Sequence, residues 1–365
     1  MKLKLPLEDL DDLIEINDES QLADDFVNEL YLALEPDDLK RVGQWIHDGE
    51  EPSLAYRKLA ISLLDGDEDA LQDYAAVQVG FGLDSIATLD PKEYVENPYY
   101  KRVCSKISKV MKKGEWTLSI KSYLPYQLFV SDEVVPSPND PLINYSPLGF
   151  FAQGFSYPAL DKNGTTYMSL IPHEIHTMAE PIQKAKGKVL TLGLGMGYFA
   201  FMASQKDEVE KVVVLERDRS VIDLFKNVFL PLFDHPEKVE IVQIEDAMEY
   251  EPKQPFDYAF ADLHHDAVDG LPLYLRYLKK DFATQADFWI EEAVLTYFRR
   301  HLIALLEEEA DDYGDEDYQN PQGESEEILS RLHFHLKNVE VDNGESLERL
   351  LSKESLKAIA KELKA

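Results

Sequence analysis

Residues 188–201 read KVLTLGLGMGYFAF, a short apolar run followed by glycines at every second position. Residues 189–192 have the length and composition of a buried strand, and YFAFMASQ behind the glycines reads as a helix. Glycines between a strand and a helix allow left-handed backbone and let a ligand approach bare main chain. The helix start would offer free N–H groups and a positive dipole end to a carboxylate or phosphate. A glycine turn can also serve packing alone. Gly195, Gly197 and Ala200 further satisfy the dinucleotide spacing G-x-G-x-x-G/A, so two ligand classes stay open.

The texture downstream is regular. KVVVLE (211–216), VEIVQIED (239–246), FDYAFADL (256–263) and ADFWIEEAVL (286–295) read as four further strands. Between them SVIDLFKNVFL and LPLYLRYLKKDF read as helices. This alternation predicts an α/β fold, a Rossmann-like doubly wound and mostly parallel sheet with both faces covered. Ligands of such sheets bind beyond the carboxyl ends of the strands, where the winding reverses. No final β-hairpin for the sheet is visible.

Upstream, residues 1–112 read as a helical N-terminal domain. Its stripes are Leu22, Phe26, Val27 and Leu30, then Leu39, Val42, Trp45 and Ile46, with Asp-Gly pairs at 48 and 65 as helix ends. Within it, residues 99–113, YYKRVCSKISKVMKK, form the one basic region and read as a helix with an apolar face at Val103, Ile107, Val110 and Met111. Its lysines are either a solvated face or an anion-binding face beside an active site. Residues 113–180 read as a β-rich segment and linker helix, 181–310 as the cofactor-binding core, and 311–365 as an acidic, mobile loop and a helical tail.

Composition narrows the function. The 365 residues carry 70 acidic and 37 basic side chains, a net charge of −33, which repels nucleic acid and anionic membrane. The expected partner is a small-molecule or protein acceptor. One cysteine, Cys104, precludes an internal disulfide framework. No apolar run is long enough to span a bilayer, and MKLKLPLEDLDDL lacks a signal-peptide core, so a cytoplasmic, soluble protein is expected.

Acids recur at the strand ends. Glu216 closes the second strand, where a carboxylate can accept both hydroxyls of a ribose. Asp246 closes the third, where it can accept from an exocyclic amine, and Ala247 beside it leaves room for a purine. Asp262 closes the fourth. The glycine turn and the three acids project to one edge of the sheet.

As an ordered set, these residues resemble the class I S-adenosylmethionine-dependent methyltransferase core over 188–263. PHEIHTMAEPI and VVVLERDRSVIDL are similar to its spermidine-synthase-like branch. The resemblance implies S-adenosylmethionine as cofactor, with Gly193, Gly195 and Gly197 toward its methionine part and Glu216 on the ribose. It places Asp246 on the adenine amine, and Asp262 near the methionine amino group or the substrate. Many methyltransferases carry an acid where this chain has Thr191. The branch's signature, an Asp followed by Ser or Thr and then Asp-Pro, is replaced by Asp262-Leu263-His264-His265-Asp266.

That run is the candidate for acceptor chemistry, with Asp262, His264, His265 and Asp266 as the catalytic set. His173 and His176, with Glu174 between them, serve either packing or the site. A Mg²⁺-assisted variant would need Asp262 together with Glu291 and Glu292 at the end of the fifth strand; no metal is expected. Methyl transfer is the leading expectation. Aminopropyl transfer, NAD-dependent dehydrogenation and a non-catalytic adenosyl-binding protein are the alternatives.

Overall fold

The computed structural model describes residues 2–5, 10–15, 17, 35–63, 86–107, 109–136, 142, 144–311 and 313–363. At its centre lie β1 (Gly187–Leu192), β2 (Val209–Glu216), β3 (Val239–Gln243), β4 (Phe256–Ala261) and β5 (Ala283–Phe288). They form a parallel sheet in the order β3-β2-β1-β4-β5. The helices that follow its strands are α1 (Tyr198–Ser204), α2 (Arg219–Leu224), α3 (Ala267–Tyr277) and α4 (Glu291–Ala310).

The pleat sorts the strand residues into two cores. Val189, Val212, Val214, Tyr258 and Phe260 face one side, with Phe199 and Phe201 of α1 and Val221 and Ile222 of α2. Leu190, Leu192, Val213, Leu215, Ala259 and Ala261 face the other, with Leu271 and Tyr274 of α3 and Leu295 and Phe298 of α4. Each large side chain so buried contributes about 1.5–3 kcal/mol. Burial on both faces is why these strands read as unbroken apolar runs rather than alternating ones.

Register then places the chemistry. Leu192 lies opposite Leu215 of β2 and Ala261 of β4. Gly193 and Asp262 are therefore each one step beyond their strands and Glu216 is the last residue of β2, around the point where the winding reverses between β1 and β4. The Gly193 N–H donates to the Leu215 carbonyl (2.9 Å) and the Asp262 N–H to the Leu192 carbonyl (2.8 Å), which fixes both residues.

The fifth strand ends earlier than expected. The chain turns at Ile290 (φ 46°), so Glu291 and Glu292 occupy the first turn of α4 instead of a strand end. The helix start is capped from far away, by the Glu133 carboxylate accepting the Glu292 N–H at 2.6 Å. Burial, partly offset by that hydrogen bond, raises the Glu133 pKa to about 7. Among the described residues beyond β5, the regular elements are helices apart from Glu340–Val341, which pairs in parallel with Lys2–Leu3.

An antiparallel sheet formed by Met111–Lys113, Trp116–Tyr123, Phe155–Lys162 and Thr165–Ser169 docks on the core. Trp116 Nε1 donates to Ser220 Oγ (2.7 Å), and Lys162 pairs with Asp218 (2.9 Å) while lying 5.1 Å over the Trp116 ring. Against the cost of partial burial, Ser220 and Lys162 hold the Asp218 carboxyl at about 2. The basic stretch departs from one continuous helix. It is helical over Pro98–Lys106, leaves helical geometry at Ile107, and joins this sheet at Met111–Lys113, where strand pairing overrides the helical periodicity.

Farther upstream, Pro36–His47 and Pro52–Leu63 are helices. Val42, Tyr56 and Leu59 share a core with Leu128, Leu148 and Phe150. The Leu22–Phe26–Val27–Leu30 stripe and the Asp65-Gly66 pair fall outside the described residues. Two residues of the acidic run after α4 meet the helix that follows it. Tyr318 is buried and stacked on His333 at 4.1 Å, and His333 bonds Glu309 (2.7 Å) and Asp315 (3.0 Å). No helix among the described residues is long and apolar enough to cross a membrane.

Candidate functional site

A cavity of about 540 Å³ lies over the carboxyl edge of the sheet. Gly193, Gly195, Glu216, Asp246, Ala247, Asp262, His264 and His265 all line it; Gly197 and Asp266 do not. The linker helix Pro172–Thr177 adds Glu174, and strand Thr165–Ser169 adds Tyr167 and Met168.

The glycines answer first to the protein itself. All three have positive φ: +99° at Gly193, +49° at Gly195 and +83° at Gly197. A Cβ at Gly193 would overlap the Asp262 carbonyl oxygen, one at Gly195 the Met168 sulfur, and one at Gly197 the Phe225 ring. Met168 lies across the turn, its sulfur accepting the Met196 N–H at 3.2 Å. From the N-terminal region, the Tyr99 hydroxyl donates to the Met196 carbonyl. The glycines thus let three other segments close on the turn, and only two of them border the cavity. The expected helix-dipole site is also weaker than its sequence, since α1 has only seven residues. Thr191 is buried in β1 and does not line the cavity.

Two of the three strand-end acids are already held. Glu216 is buried and accepts from the N–H of Asp218 (2.8 Å) and of Leu194 in the glycine turn (3.3 Å). Burial raises its pKa, opposed by those backbone hydrogen bonds. Asp246 caps the turn at Ala247–Glu249 and pairs with Arg276 of α3 at 2.5 Å, which lowers its pKa. Arg276 is a cavity residue that sequence reasoning missed: one basic side chain within an amphipathic helix carries no signal of its own. Asp262 has no such support. Burial raises its pKa to about 7, with the His265 charge pulling down and Glu216 pushing up.

The two adjacent histidines separate. His265 is exposed and turned to Asp269, with Nδ1 3.1 Å from Oδ2. Asp266 is the N-cap of α3, its carboxylate accepting from the N–H groups of Val268 and Asp269, and it stands apart from the cavity. That local task accounts for its place in the sequence.

His264 is 5% exposed and stacks on Phe288 at 4.6 Å, yet neither ring nitrogen makes a hydrogen bond of ordinary geometry. Burial pushes its pKa down to about 4, so the imidazole is neutral at pH 7. The ring sits on the cavity wall with both nitrogens buried and without an ordinary hydrogen bond, an unsatisfied polar group of the kind that marks a functional site. Gly270 of α3 makes room for it, since a Cβ there would lie 2.5 Å from His264 Cδ2. We expect Gly270→Ala to destabilise by about 1–3 kcal/mol, and His264→Ala in the same chain to recover most of that loss. Additive effects in denaturant melts of the four proteins would show that the two do not meet.

His173 and His176 serve the packing of their helix. His173 sets its ring edge-on to Trp289 at 5.9 Å, and His176 bonds the Tyr94 hydroxyl (3.1 Å) and the Ser131 carbonyl (2.9 Å). None of the basic residues in 99–113 lines the cavity; Arg102 is engaged by Asp234 at 2.7 Å. Glu291 bonds Tyr274 and Lys357, and Glu292 pairs with Lys353, so both are committed elsewhere. Among the described residues, no group of three or more His, Cys, Asp or Glu is arranged to hold a metal ion.

No family model and no curated protein matches the chain. Solved structures do. A spermidine synthase from Thermotoga maritima is similar over 48% of this chain and 52% of its own, at 19% identity and a TM-score of 0.28. A spermidine synthase in complex with the transition-state analogue AdoDATO is similar over 49% and 53%, at 18% identity and 0.28. A putative O-methyltransferase from Klebsiella pneumoniae is similar over 42% and 60%, at 18% identity and 0.24. The resemblance is to proteins of the S-adenosylmethionine-dependent methyltransferase fold. The chain spans about half the length of the spermidine synthases it matches. Likeness at these scores carries no argument about chemistry, which rests on the cavity.

Proposed function

We propose that the cavity binds S-adenosylmethionine and that the protein transfers its methyl group to a small-molecule or protein acceptor. One observation carries this reading: Gly193, Glu216 and Asp262, at or one residue past the ends of β1, β2 and β4, and Asp246, three residues past the end of β3, converge on a single cavity. Glu216 would hold the ribose hydroxyls with the lone pairs its backbone partners leave open. Asp246, fixed by Arg276, would accept from the adenine amine beside Ala247. Gly193 and Gly195 would border the methionine part, and Asp262 would face its amino group or the acceptor.

The cofactor supplies an activated methyl group on a sulfonium, a leaving group that needs no acid. The protein's work is alignment, exclusion of water and removal of one proton from the acceptor. His264, neutral and with neither nitrogen in an ordinary hydrogen bond, is the residue we assign to take that proton, and the Phe288 and Trp289 rings keep its surroundings dry. His265 and Asp266 stand farther out, at the rim and the helix cap.

Aminopropyl transfer is a second reading. It draws on the unpaired acids Glu174 and Asp262, which suit an amine acceptor, while the run after β4 departs from the aminopropyltransferase pattern.

Titration calorimetry with S-adenosylmethionine, 5′-methylthioadenosine and NAD tests the site. Micromolar binding of the two adenosyl ligands is expected. NAD binding without them would replace the assignment with a dehydrogenase, and binding without turnover on any acceptor would leave a non-catalytic adenosyl-binding protein. Glu216→Gln should weaken adenosyl binding by roughly 1.5–3 kcal/mol, and an unchanged affinity would remove Glu216 from the ribose.

A further inference from the structure

We propose that Glu174 and Asp262 act as one carboxyl pair that exchanges a proton for the ammonium group of a ligand. This rests on the adenosyl reading above and adds Glu174, which comes from the linker helix rather than from any strand end. The two side chains line the same cavity, and no hydrogen bond or ion pair among the described residues reaches either carboxylate. The other inward acids differ: Glu216 is held by two N–H groups and Asp246 by Arg276.

No basic side chain among the described residues is ion-paired with either acid, and the exposed His265 only partly offsets the burial of Asp262. His264 is buried and, on Glu174's own helix, His173 half-buried; both are neutral, each held at about 4 chiefly by desolvation. Burial and then the charges of Glu216 and Asp262 keep the Tyr167 hydroxyl protonated. His265 is turned to Asp269, Arg276 to Asp246, and Arg217 is exposed at the rim. Two carboxylates in one desolvated space cannot both be charged without a cation between them. The pKa directions agree: burial and then the Asp262 charge raise Glu174 well above the carboxylate range, and Asp262 stands at about 7.

His264 is the independent sign of a ligand, a side chain more than nine-tenths buried on the same cavity with neither nitrogen in a hydrogen bond of ordinary geometry. A primary ammonium offers three N–H donors, enough for two carboxylates and one imidazole nitrogen. A monovalent cation entering the pair displaces the shared proton to solvent. No covalent step is involved. The ammonium comes from one of two sources, the cofactor's amino group or an amine acceptor.

Calorimetry in buffers of different ionisation enthalpy at pH 7 counts that proton. S-adenosylhomocysteine carries the cofactor's amino group, and 5′-methylthioadenosine carries none; 1,4-diaminobutane added to the 5′-methylthioadenosine complex stands in for an amine acceptor. We expect 5′-methylthioadenosine to release essentially no proton. Release of about one proton with S-adenosylhomocysteine assigns the pair to the cofactor, and release on adding the diamine assigns it to the acceptor. Glu174→Gln should abolish the difference between ligands with and without an amine. Equal proton counts for all three ligands in the wild-type protein, or release that persists in Glu174→Gln, overturns the proposal. If 5′-methylthioadenosine itself does not bind, the adenosyl reading fails first and the proposal with it, an outcome distinct from binding without proton release.

Discussion

Gly193→Ala is expected to lower the stability of the fold by about 4 kcal/mol or more. Two terms act together. At φ +99° an L-residue is strained by about 1–3 kcal/mol whatever surrounds it. The new Cβ would also overlap the Asp262 carbonyl oxygen, which belongs to main chain. That carbonyl cannot retreat freely, because the Asp262 N–H is bonded to the Leu192 carbonyl and the Gly193 N–H to the Leu215 carbonyl. Relief would have to separate β1 from β4 at their carboxyl ends. Gly195→Ala is the contrast: at φ +49° the backbone is only left-handed helical, and the overlapped atom is the Met168 sulfur, on a side chain with three rotatable bonds. It should cost about 1–2 kcal/mol. Denaturant melts decide the matter. A Gly193→Ala protein as stable as Gly195→Ala would show that the Asp262 carbonyl does not sit where β1 ends.

How much of this was legible beforehand depends on where the determining partner lies. The sheet was legible because its strands are buried on both faces, so that 189–192, 211–216 and 256–261 declare themselves as apolar runs without reference to anything else. The convergence of Glu216, Asp246 and Asp262 followed from the parallel alternation alone, which places every strand's carboxyl end at one edge. What failed to show were tasks assigned by distant chain. The fifth strand stops at Phe288 because a carboxylate 159 residues away in sequence, Glu133, caps the helix that replaces it. Met111–Lys113 abandon the helical pattern because Trp116–Tyr123 offers a strand partner. In the same way His264 and His265 are neighbours with one composition and two fates, set by Gly270 on one side and Asp269 on the other. Glu174 sits among residues that read as packing, and only the cavity shows which way it contributes.

Asp262→Asn is expected to abolish transfer while making the ligand-free protein more stable above pH 7. The sign follows from the direction of the shift. Burial holds the folded carboxyl at about 7, above its unfolded value near 4, so between those pH values the folded chain keeps a proton that the unfolded chain has released. Stability from this group is therefore present below about pH 4 and lost as pH rises through 7. Above 7 the folded protein carries the full penalty of a buried charge beside Glu174 and Glu216. Asparagine has the same shape and no charge, so the gain of the variant over the wild type should be near zero at pH 4 and largest above pH 7. A rise of a few degrees in melting temperature at pH 8 would register it. The comparison has to be made as a difference between the two proteins. His173 and His264, held at about 4, lose stability as pH falls below their unfolded range, and they do so equally in both chains. A variant less stable than the wild type at pH 8 would mean that the Asp262 carboxylate already has a partner in the empty cavity. A variant that is more stable yet inactive would identify Asp262 as a charge the fold tolerates only for what it binds.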